Sequence, residues 1–424
     1  MTELRPRSRK SEAVQSIARH GQLKKHGPVS AILKLIGIAL VVVLVSVGTV
    51  GGVVAYSLAS QIDRNSVDIG EPDDVEIPSV GAIKGGFNVL IVGSDQCEQW
   101  DGCQGPNDRG SGKLNDVTML LHVSEDQTNA VAISFPRDLI VPIPSCKRED
   151  GNGDTAAMSA QQINVTLSDG GLPCTVRTVE ALTGLDIQYA GLITFKGVIA
   201  MSNAVGGVEV CLTGDLDDDY SKIHLKAGTH TLSGKDALAF LRSRHGIGNG
   251  SDITRISSQQ VYLSSLVRTL QSSETLSNPT KVYGLAQAAA QNMQLSTSLA
   301  SVDTMFSMAL ALKDVPLDKI TFIQYPGLLN VPGPYEQKVL PDTVKANQLF
   351  DLIKDDQPFT LENEDTGGST VDPDADDDTE ETPDPTSSAT STPSATATEE
   401  PEEDLPTFSG SGQTAATKTC SVTN

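Results

Sequence analysis

Residues 234–260 read GKDALAFLRSRHGIGNGSDITRISSQQ and place three arginines within fourteen residues, Arg242, Arg244 and Arg255. Arg242 and Arg244 are two residues apart, a spacing that puts both side chains on one face of an extended segment. Guanidinium groups held close together repel each other unless an anion lies between them, and phosphate best matches a guanidinium fork. The stretch therefore predicts a phosphate site. The alternatives are a solvated basic face or arginines paired with structural carboxylates.

A helix start follows these arginines. Three glycines after Arg244 predict a flexible loop. Ser251 or Asp252 is then typical of a helix N-cap. On the helix that follows, Arg255 and Gln259 are four residues apart and are therefore neighbours on one face.

Charge is distributed unevenly along the 424 residues, whose formal net charge is -23. Residues 1–28 hold seven Lys and Arg against two Glu, a balance of 7 − 2 = +5. Residues 364–404 hold fifteen Asp and Glu and no Lys or Arg, so the acidic total says little about the folded part. It still argues against nucleic acid as a partner, because a phosphate backbone requires a basic surface.

Residues 35–59 form an uncharged run of 25 residues, which at about 1.5 Å per residue can cross a bilayer core of about 30 Å. Basic residues precede this run and mainly acidic residues follow it. The positive-inside rule thus places residues 1–34 in the cytoplasm and the chain after residue 61 outside. A cleaved signal peptide is the alternative, but its apolar core usually has only about 7–15 residues. The sequence predicts a single-pass protein of the cell membrane, with a linker at residues 60–85.

All the cysteines follow the predicted membrane segment, where an oxidising environment favours disulfides. The six are Cys97, Cys103, Cys146, Cys174, Cys211 and Cys420. The first two flank a short Gly-containing loop, and we predict a disulfide between them. The pairing of the other four stays open. Metal binding through thiolates is disfavoured, since the sequence has no CxxC spacing.

Apolar runs bounded by turn residues predict a series of strands within a domain at residues 86–356. The predicted strands span residues 87–93, 117–123, 130–135, 189–194, 208–212 and 320–324. Helical patterns lie at residues 176–183, 195–204, 281–294 and 299–313. The second and third strands form a hairpin, which breaks strict alternation of strand and helix. The sequence therefore predicts an α/β fold with a mixed central sheet between helical layers.

Residues 357–424 are predicted to be a disordered C-terminal tail. Residues 363–404 are acidic and rich in Pro, Thr and Ser, with too little apolar surface to offset the entropy of ordering. Removal of residues 364–424 is accordingly expected to leave catalysis nearly intact.

Polar residues lie where the first three predicted strands begin or end, positions that often carry chemistry in α/β domains. Asp95 follows the first strand, Asp116 precedes the second, and Arg137 and Asp138 follow the third. Two neighbouring carboxylates repel unless a cation joins them, and oxygen ligands beside a phosphate favour Mg²⁺ or Mn²⁺. The alternative is that Asp95 and Asp116 are turn residues that cap local backbone groups.

Taken together, these short motifs resemble the LytR-CpsA-Psr family. In chain order they are GSD, ND, SFPRD, IN, LSGKDALAFLRSR and D-x-x-R-x-x-x-QQ, and they cover residues 87–270, with looser similarity up to residue 325. Such proteins are phosphotransferases of Gram-positive envelopes, and the likeness is to the actinobacterial type. They move a glycopolymer from a polyprenyl-pyrophosphate carrier onto a hydroxyl of peptidoglycan. The resemblance implies a metal-assisted enzyme whose partners are the lipid-linked glycan, membrane lipid and peptidoglycan.

The resemblance also assigns roles by position. The implied metal ligands are Asp95 and Asp116, and the implied catalytic residues are Asp95, Asp116, Arg137, Asp138 and Arg255. The implied phosphate-binding residues are Arg137, Arg242, Arg244, Arg255 and Gln259. Leu114 stands where the family usually has an arginine, and we expect Lys113 or Arg109 to supply that charge. The family's RQQ is SQQ here, with Ser258, and either Asp95 or Asp138 is expected to be the base.

Two further functions use the same residues. A pyrophosphatase would cleave the same link with water as acceptor, and an envelope regulator would bind the phosphorylated lipid without catalysis. The presence of both Asp95 and Asp116 favours catalysis, because a lipid-binding regulator needs only the arginines. A polyprenyl tail also needs an apolar slot, which we expect along residues 195–201 and 299–312, although packed core is the alternative there.

Overall fold

The computed structural model divides into two units, Met1–Tyr56 and Ser57–Asn424. It describes residues 65–70, 83, 85–95, 113–272, 275, 279–362, 367–373 and 405–424, with scattered positions between residues 29 and 60. Within these residues, no helix combines the length and the apolar character needed to cross a membrane. Parts of the predicted basic tail, membrane segment and linker lie outside them.

The described chain alternates between strands and helices. The strands are β1 (Ser66–Val67), β2 (Phe87–Ser94), β3 (Asn115–Val123), β4 (Ala130–Phe135), β5 (Ile140–Ile143), β6 (Met158–Gln162), β7 (Tyr189–Ile193), β8 (Val208–Leu212), β9 (Leu216–Asp218), β10 (Ile223–Leu225), β11 (Gly228–Leu232), β12 (Met293–Ser296), β13 (Ile320–Gln324), β14 (Gly327–Leu328), β15 (Leu340–Pro341), β16 (Thr360–Leu361), β17 (Ser369–Val371), β18 (Thr407–Phe408), β19 (Gly412–Thr414) and β20 (Thr419–Ser421). The α-helices are α1 (Thr166–Thr183), α2 (Phe195–Val205), α3 (Gly234–Arg242), α4 (Asp252–Gln271), α5 (Pro279–Asn292), α6 (Val302–Asp314) and α7 (Thr343–Lys354).

The main sheet is mixed, as predicted, with the strand order β1-β12-β7-β2-β3-β4-β13-β19. β2, β3 and β4 are antiparallel neighbours, and the predicted hairpin joins β3 to β4. β7 runs parallel to β2, and β13 runs parallel to β4. Parallel neighbours require crossover connections, and helices in such connections cover the faces of a sheet.

Side chains alternate across the central strands and pack against helices on both faces. Leu90 and Leu120 contribute to one core, which includes residues of α1 and α7. Val89 and Met119 contribute to a second core with residues of α4 and α6. The predicted mixed sheet between helical layers is therefore confirmed.

The two faces of the sheet are packed to different degrees. Leu90, Val92 and Leu120 on the first face are 0% exposed. Ile91 and Leu121 on the second face remain partly exposed, although β2 and β3 lie in the middle of the sheet. Central strands are normally covered on both sides, so the second face has room that the first face lacks.

A smaller sheet with the order β11-β8-β20-β17 lies beside α4. Its core contains Val208 and Val210 of β8 together with Phe240 of α3 and Val261 of α4. The sheet thus supports the two helices that flank the arginine-containing stretch.

The prediction of a disordered tail over residues 357–424 is wrong for the C-terminal part. β19 pairs with β13 at the edge of the main sheet, and β20 lies between β8 and β17 in the smaller sheet. Phe408 is 0% exposed. The average composition of the tail did not reveal its short strands, which pair with sheet strands formed by the rest of the chain. Residues 374–404, which hold twelve of the fifteen acidic side chains of residues 364–404, lie outside the described residues.

Two disulfides resolve the pairing that the sequence left open. Cys146 bonds to Cys174, and Cys211 bonds to Cys420 across 209 residues. The second bond ties the C-terminal strand β20 to β8. The predicted Cys97–Cys103 pair lies outside the described residues.

Two helix boundaries differ from the prediction. α1 begins at Thr166 rather than at residue 176, and its backbone is interrupted at Gly170 and Gly171. A Cβ on Gly170 would come within 2.9 Å of the Cβ atoms of Cys146 and Cys174, so the disulfide requires glycine there. The helix predicted at residues 281–294 ends at Asn292, because the chain enters β12 and pairs with β7.

Candidate active site

The candidate site lies where β2 ends, β3 begins, β4 ends and α4 begins. β2 and β3 are antiparallel, which brings Asp95 beside the start of β3, and a register shift between Gly93 and Ser94 accompanies this end of the pair. Arg137 follows β4, the other neighbour of β3. The predicted grouping of strand-end residues is thus present.

Asp252, the first residue of α4, is the carboxylate on which three arginines converge. Its Oδ1 lies 2.6 Å from Arg255 NH2, 3.2 Å from Arg244 NH2 and 3.7 Å from Arg137 Nε. Its Oδ2 accepts a hydrogen bond from the backbone N–H of Arg137 at 3.3 Å. The Asp252 side chain is only 11% exposed, so these contacts are largely shielded from solvent.

Arg137 and Arg255 also donate hydrogen bonds to Asp116, at the start of β3. Arg137 NH1 donates to Asp116 Oδ1 at 2.7 Å. Arg255 NH2 donates to the backbone carbonyl of Asp116 at 2.8 Å. The Nε atoms of both arginines are buried without a hydrogen-bond partner among the described residues. Buried guanidinium donors of this kind are expected to be completed by a ligand.

The pKa values of residues in the cluster are shifted by burial and by neighbouring charges. Burial and the charges of Arg255 and Arg137 lower the pKa of Arg244 to about 10. Burial raises the pKa of Asp116, but Arg255, Arg137 and Arg244 outweigh that effect and hold it below its ordinary value. At Arg137 the carboxylates of Asp116, Asp252 and Asp138 outweigh burial and raise the pKa, so Arg244 is the less well compensated guanidinium of the two.

Asp95 has the opposite environment. Burial raises the pKa of its carboxyl, and the charge of Asp116 raises it further. Its Oδ1 accepts a hydrogen bond from the backbone N–H of Leu114 at 3.1 Å. This contact agrees with the alternative reading of the sequence, in which Asp95 caps a backbone group. Two carboxylates that repel each other in a half-buried site form an oxygen donor set that fits a hard divalent cation such as Mg²⁺.

Asp138 is engaged through both oxygens. Its Oδ1 accepts from Gln162 Nε2 at 2.7 Å and from Lys338 Nζ at 3.1 Å. Its Oδ2 lies 3.6 Å from Arg137 Nε. Asp138 therefore joins the cluster as a partner of Arg137.

Other predicted site residues have separate partners. Lys113 pairs with Glu149 at 2.6 Å and is not joined to the arginine cluster. Arg109 lies outside the described residues. Gln259 donates from Nε2 to the carbonyl of Leu241 at 3.0 Å, which fixes the end of α3 against α4.

Arg242 and Arg244 do not share one extended face. Arg242 is the last residue of α3, and its guanidinium lies 4.2 Å from the ring centroid of Phe195. The helix ends there, and only Ser243 has extended backbone before Arg244. The assumption of an extended segment was therefore wrong at Arg242.

Sequence reasoning missed Asp252, Lys338 and Gln162 as members of the cluster. Asp252 could have been found, because D-x-x-R at a helix start puts a carboxylate and a guanidinium on neighbouring positions. Lys338 and Gln162 are 200 and 24 residues from Asp138 in the chain and carry no local signal.

The loop that carries Arg244 is held from two sides. Asp218 accepts hydrogen bonds from Ser243 Oγ at 2.7 Å and from the N–H groups of Arg244 and His245 at 3.0 and 3.2 Å. The C-terminal residues form the other support: Val422 accepts from the Gly248 N–H at 2.9 Å, and Asn424 Nδ2 donates to the His245 carbonyl at 2.8 Å.

Comparison with known proteins places these features in a family. The sequence model of the LytR_cpsA_psr family matches residues 53–352. The chain is 27% identical over 341 residues to the cell wall biosynthesis protein LcpA of Corynebacterium glutamicum, covering 75% of this chain and 64% of LcpA. It is 26% identical over 310 residues to TagT of Bacillus subtilis, a polyisoprenyl-teichoic acid–peptidoglycan teichoic acid transferase, covering 71% of this chain and 89% of TagT.

Solved structures share the fold. The crystal structure of TagV from B. subtilis aligns with a TM-score of 0.50 at 22% identity, covering 65% of this chain and 98% of TagV. Protein gbs0355 of Streptococcus agalactiae aligns with a TM-score of 0.52 at 21% identity, covering 64% of this chain and 88% of that protein. At these identities the likeness establishes the fold alone.

Proposed function

The chain belongs to the LytR-CpsA-Psr family, and from this premise we propose that it is a phosphotransferase that attaches a lipid-linked anionic glycopolymer to peptidoglycan. The name of TagT describes the same class of reaction with teichoic acid as the polymer. LcpA is named for cell wall biosynthesis. The polymer that this chain transfers is a wall polysaccharide or a teichoic-acid-like chain on a polyprenyl pyrophosphate carrier.

The observation that carries the proposal is the convergence of Arg137, Arg244 and Arg255 on one carboxylate, Asp252. A pyrophosphate would give these guanidinium groups a second anion with the geometry of a fork. It would also offset the burial and the repulsion from Arg255 and Arg137 that together lower the pKa of Arg244. As the transferred phosphoryl group passes through its transition state, fixed guanidinium groups stabilise the charge on its oxygens.

The second face of the sheet supports a site for the lipid tail. Ile91 and Leu121 are partly exposed there, and Met305 and Leu312 of α6 are partly buried against the same core. These partly buried side chains support the apolar slot that the sequence predicts along residues 299–312. Phe195 in the other expected segment instead lies beneath Arg242. A polyprenyl tail would be stabilised there by about 0.8 kcal/mol for each CH₂ group that it buries.

The transfer itself follows from these groups. A hydroxyl of the acceptor glycan attacks the phosphorus that carries the glycopolymer, and the bond from that phosphorus to the bridging oxygen breaks. Polyprenyl phosphate leaves with the electron pair, and the arginines stabilise its charge. Asp138 Oδ1 already accepts hydrogen bonds from Gln162 and Lys338, and its Oδ2 faces the Arg137 guanidinium, so we propose Asp95 as the acceptor of the hydroxyl proton.

A divalent cation belongs to the same proposal. Asp95 and Asp116 would hold Mg²⁺ or Mn²⁺, since they are carboxylates that sense each other's charge: burial, and then the charge of Asp116, raises the pKa of Asp95. When bound, the ion would neutralise charge on the phosphoryl oxygens.

A transfer assay tests the proposal. Full-length protein in detergent, given a lipid-linked glycan and peptidoglycan, should release polyprenyl phosphate and place glycan phosphate on the acceptor. Asp95→Ala and Asp116→Ala should each reduce turnover at least about 10²-fold and weaken the response to Mg²⁺ against chelator. Wild-type turnover in both aspartate variants would contradict the catalytic assignment.

The same assay separates the alternatives. A pyrophosphatase would release glycan phosphate into water at a rate independent of the acceptor. A regulator would bind the lipid without turnover, and its binding would weaken with the arginine variants but not with the aspartate variants.

We also propose that the chain is a single-pass membrane protein with residues 1–34 in the cytoplasm. The charge asymmetry around residues 35–59 supports this orientation. Protease added to intact, wall-stripped cells should cut within residues 374–404. Complete protection of that segment would contradict the orientation.

A further inference from the structure

A cavity of about 530 Å³ lies next to the arginine cluster, and the proposed reaction has not used it. Its lining consists of Ile253, residues 324–329, Asp342, Lys345 and residues 409–411. The volume falls within the range of about 300–1,000 Å³ that is typical of small-ligand sites.

Two chain connections place this cavity beside the reaction centre. Ile253 directly follows Asp252, the residue on which the arginines converge. Tyr325 donates its backbone N–H to the carbonyl of Ser134 at 2.9 Å, three residues before Arg137. Its ring packs on Phe135 with 5.2 Å between centroids. The cavity wall therefore adjoins Asp252 on α4 and contacts β4 two to three residues before Arg137.

The walls of the cavity are held by hydrogen bonds between separate elements. Gln324 donates from its N–H to the Ser411 carbonyl at 2.9 Å and from Nε2 to Ser257 Oγ at 3.3 Å. Asp342 donates its N–H to the Pro326 carbonyl at 3.0 Å and caps α7 by accepting from the Lys345 N–H at 3.2 Å. The cavity is therefore fixed by the fold, including the C-terminal segment.

The chemistry of the lining differs from that of the arginine cluster. One carboxylate and one ammonium, Asp342 and Lys345, leave the described lining without net charge. Serine hydroxyls at positions 409 and 411 add donors and acceptors, and Leu328 and Leu329 at the rim are 46% and 51% exposed. Hydroxyl partners beside exposed apolar side chains match a neutral sugar, which presents hydroxyls at its edge and C–H groups on its ring faces.

We propose that this cavity is the binding site of the acceptor, a neutral oligosaccharide segment of peptidoglycan, whose hydroxyl it presents to the phosphoryl group at the arginine cluster. The proposal rests on the transferase function proposed above. The two substrates are thereby divided by charge: the anionic donor binds to guanidinium groups, and the uncharged acceptor binds in the neutral cavity that Ile253 lines next to Asp252.

Steady-state kinetics of the full-length protein with a soluble peptidoglycan tetrasaccharide as acceptor test this site. Lys345→Ala removes a charged hydrogen-bond donor, and Ser411→Trp fills the cavity from its rim. Each variant should raise KM for the tetrasaccharide about tenfold, the loss expected for one hydrogen bond to a charged group, with the donor KM within about twofold. Lys354→Ala, at the other end of α7, is the matched control and should leave both KM values unchanged.

The outcomes separate this inference from the proposed function. Unchanged acceptor KM in both variants, with intact transfer, overturns the acceptor site and leaves the transferase in place. An equal rise of KM in the Lys354→Ala control also overturns it, since the effect would then be general to α7. If the wild-type protein transfers nothing to the tetrasaccharide or to peptidoglycan, the proposed function itself fails. Saturation-transfer NMR with the tetrasaccharide alone should show contact in the wild-type protein and its loss in Ser411→Trp.

Discussion

Two buried aspartates flank Arg244, and they are satisfied in opposite ways. Asp218 accepts from neutral donors, namely the Ser243 hydroxyl and backbone N–H groups that include those of Arg244 and Tyr220. Asp252 accepts from the guanidinium groups of Arg244 and Arg255, and the guanidinium of Arg137 lies 3.7 Å away. The first carboxylate holds the backbone of the arginine loop, and the second holds its side chains.

This difference separates the contacts that fix the arginine loop from the contacts that a phosphate ligand could replace. The donors around Asp218 belong mainly to the backbone of the loop, so that contact sets the conformation of the loop. Guanidinium groups around Asp252 can exchange one oxygen anion for another without losing their hydrogen bonds, since phosphate and carboxylate offer the same fork. The pairing of arginines with structural carboxylates, which the sequence offered as an alternative to a phosphate site, is therefore compatible with that site.

The largest expected effect concerns the guanidinium groups around Asp252. Arg137→Ala, Arg244→Ala and Arg255→Ala should each reduce turnover at least about 10²-fold, because each removes a charge that stabilises the transition state. Arg177→Ala, an exposed arginine on α1, is the control and should have wild-type turnover. Near-normal rates in the three variants would show that the cluster is only structural.

A smaller effect is expected from Asp252→Asn. The arginines would lose the carboxylate that orients them, so kcat should fall about tenfold, as for a misplaced catalytic group. The donor KM should not rise, because the variant also removes an anion that competes with phosphate. A rise in donor KM with unchanged kcat would mean that Asp252 contributes to binding rather than to orientation.

Removal of residues 422–424 should cost about threefold in turnover. The truncation removes the contacts of Val422 with Gly248 and of Asn424 with His245, but it keeps Cys420 and its disulfide. Asp218 would still hold the other side of the loop, which is why the effect is modest. Mutation of Val371 to Ala, on the exposed strand β17, is a control outside the loop.

Asp218→Asn should act on stability, with the smallest direct effect on chemistry. An amide can replace only one of the two acceptor oxygens, and each buried donor left unpaired costs about 1–3 kcal/mol. The pKa of Asp218 is lowered to about 2, since donors to its ionised form outweigh the effect of burial. Its contribution is thus complete above the ordinary carboxyl range and is lost as the pH falls through about 2.

Thermal unfolding at several pH values checks this prediction. The difference in melting temperature between the wild-type protein and Asp218→Asn should be largest near neutral pH and should shrink between about pH 4 and pH 2. A difference that is constant over this range would assign the loss to packing rather than to the carboxylate.

The sequence predicted those parts of the molecule that depend on local pattern. The hairpin β3–β4 and the buried strand β2 follow from apolar runs, and Asp116 and Arg137 lie together because β3 begins where its antiparallel neighbour β4 ends. The contact of Lys338 with Asp138 could not be predicted, since it depends on how distant segments pack. The position of β20 had the same difficulty, because its pairing partners β8 and β17 are set by the completed fold.

Because residues 405–424 belong to the fold, the acidic stretch before them is an internal segment of the chain and not a C-terminal tail. Residues 374–404 lie in the sequence between β17, which pairs with β20, and β18, which pairs with β16. One proteolytic cut there would yield two polypeptides that stay joined through Cys211–Cys420 and separate on a gel only after reduction.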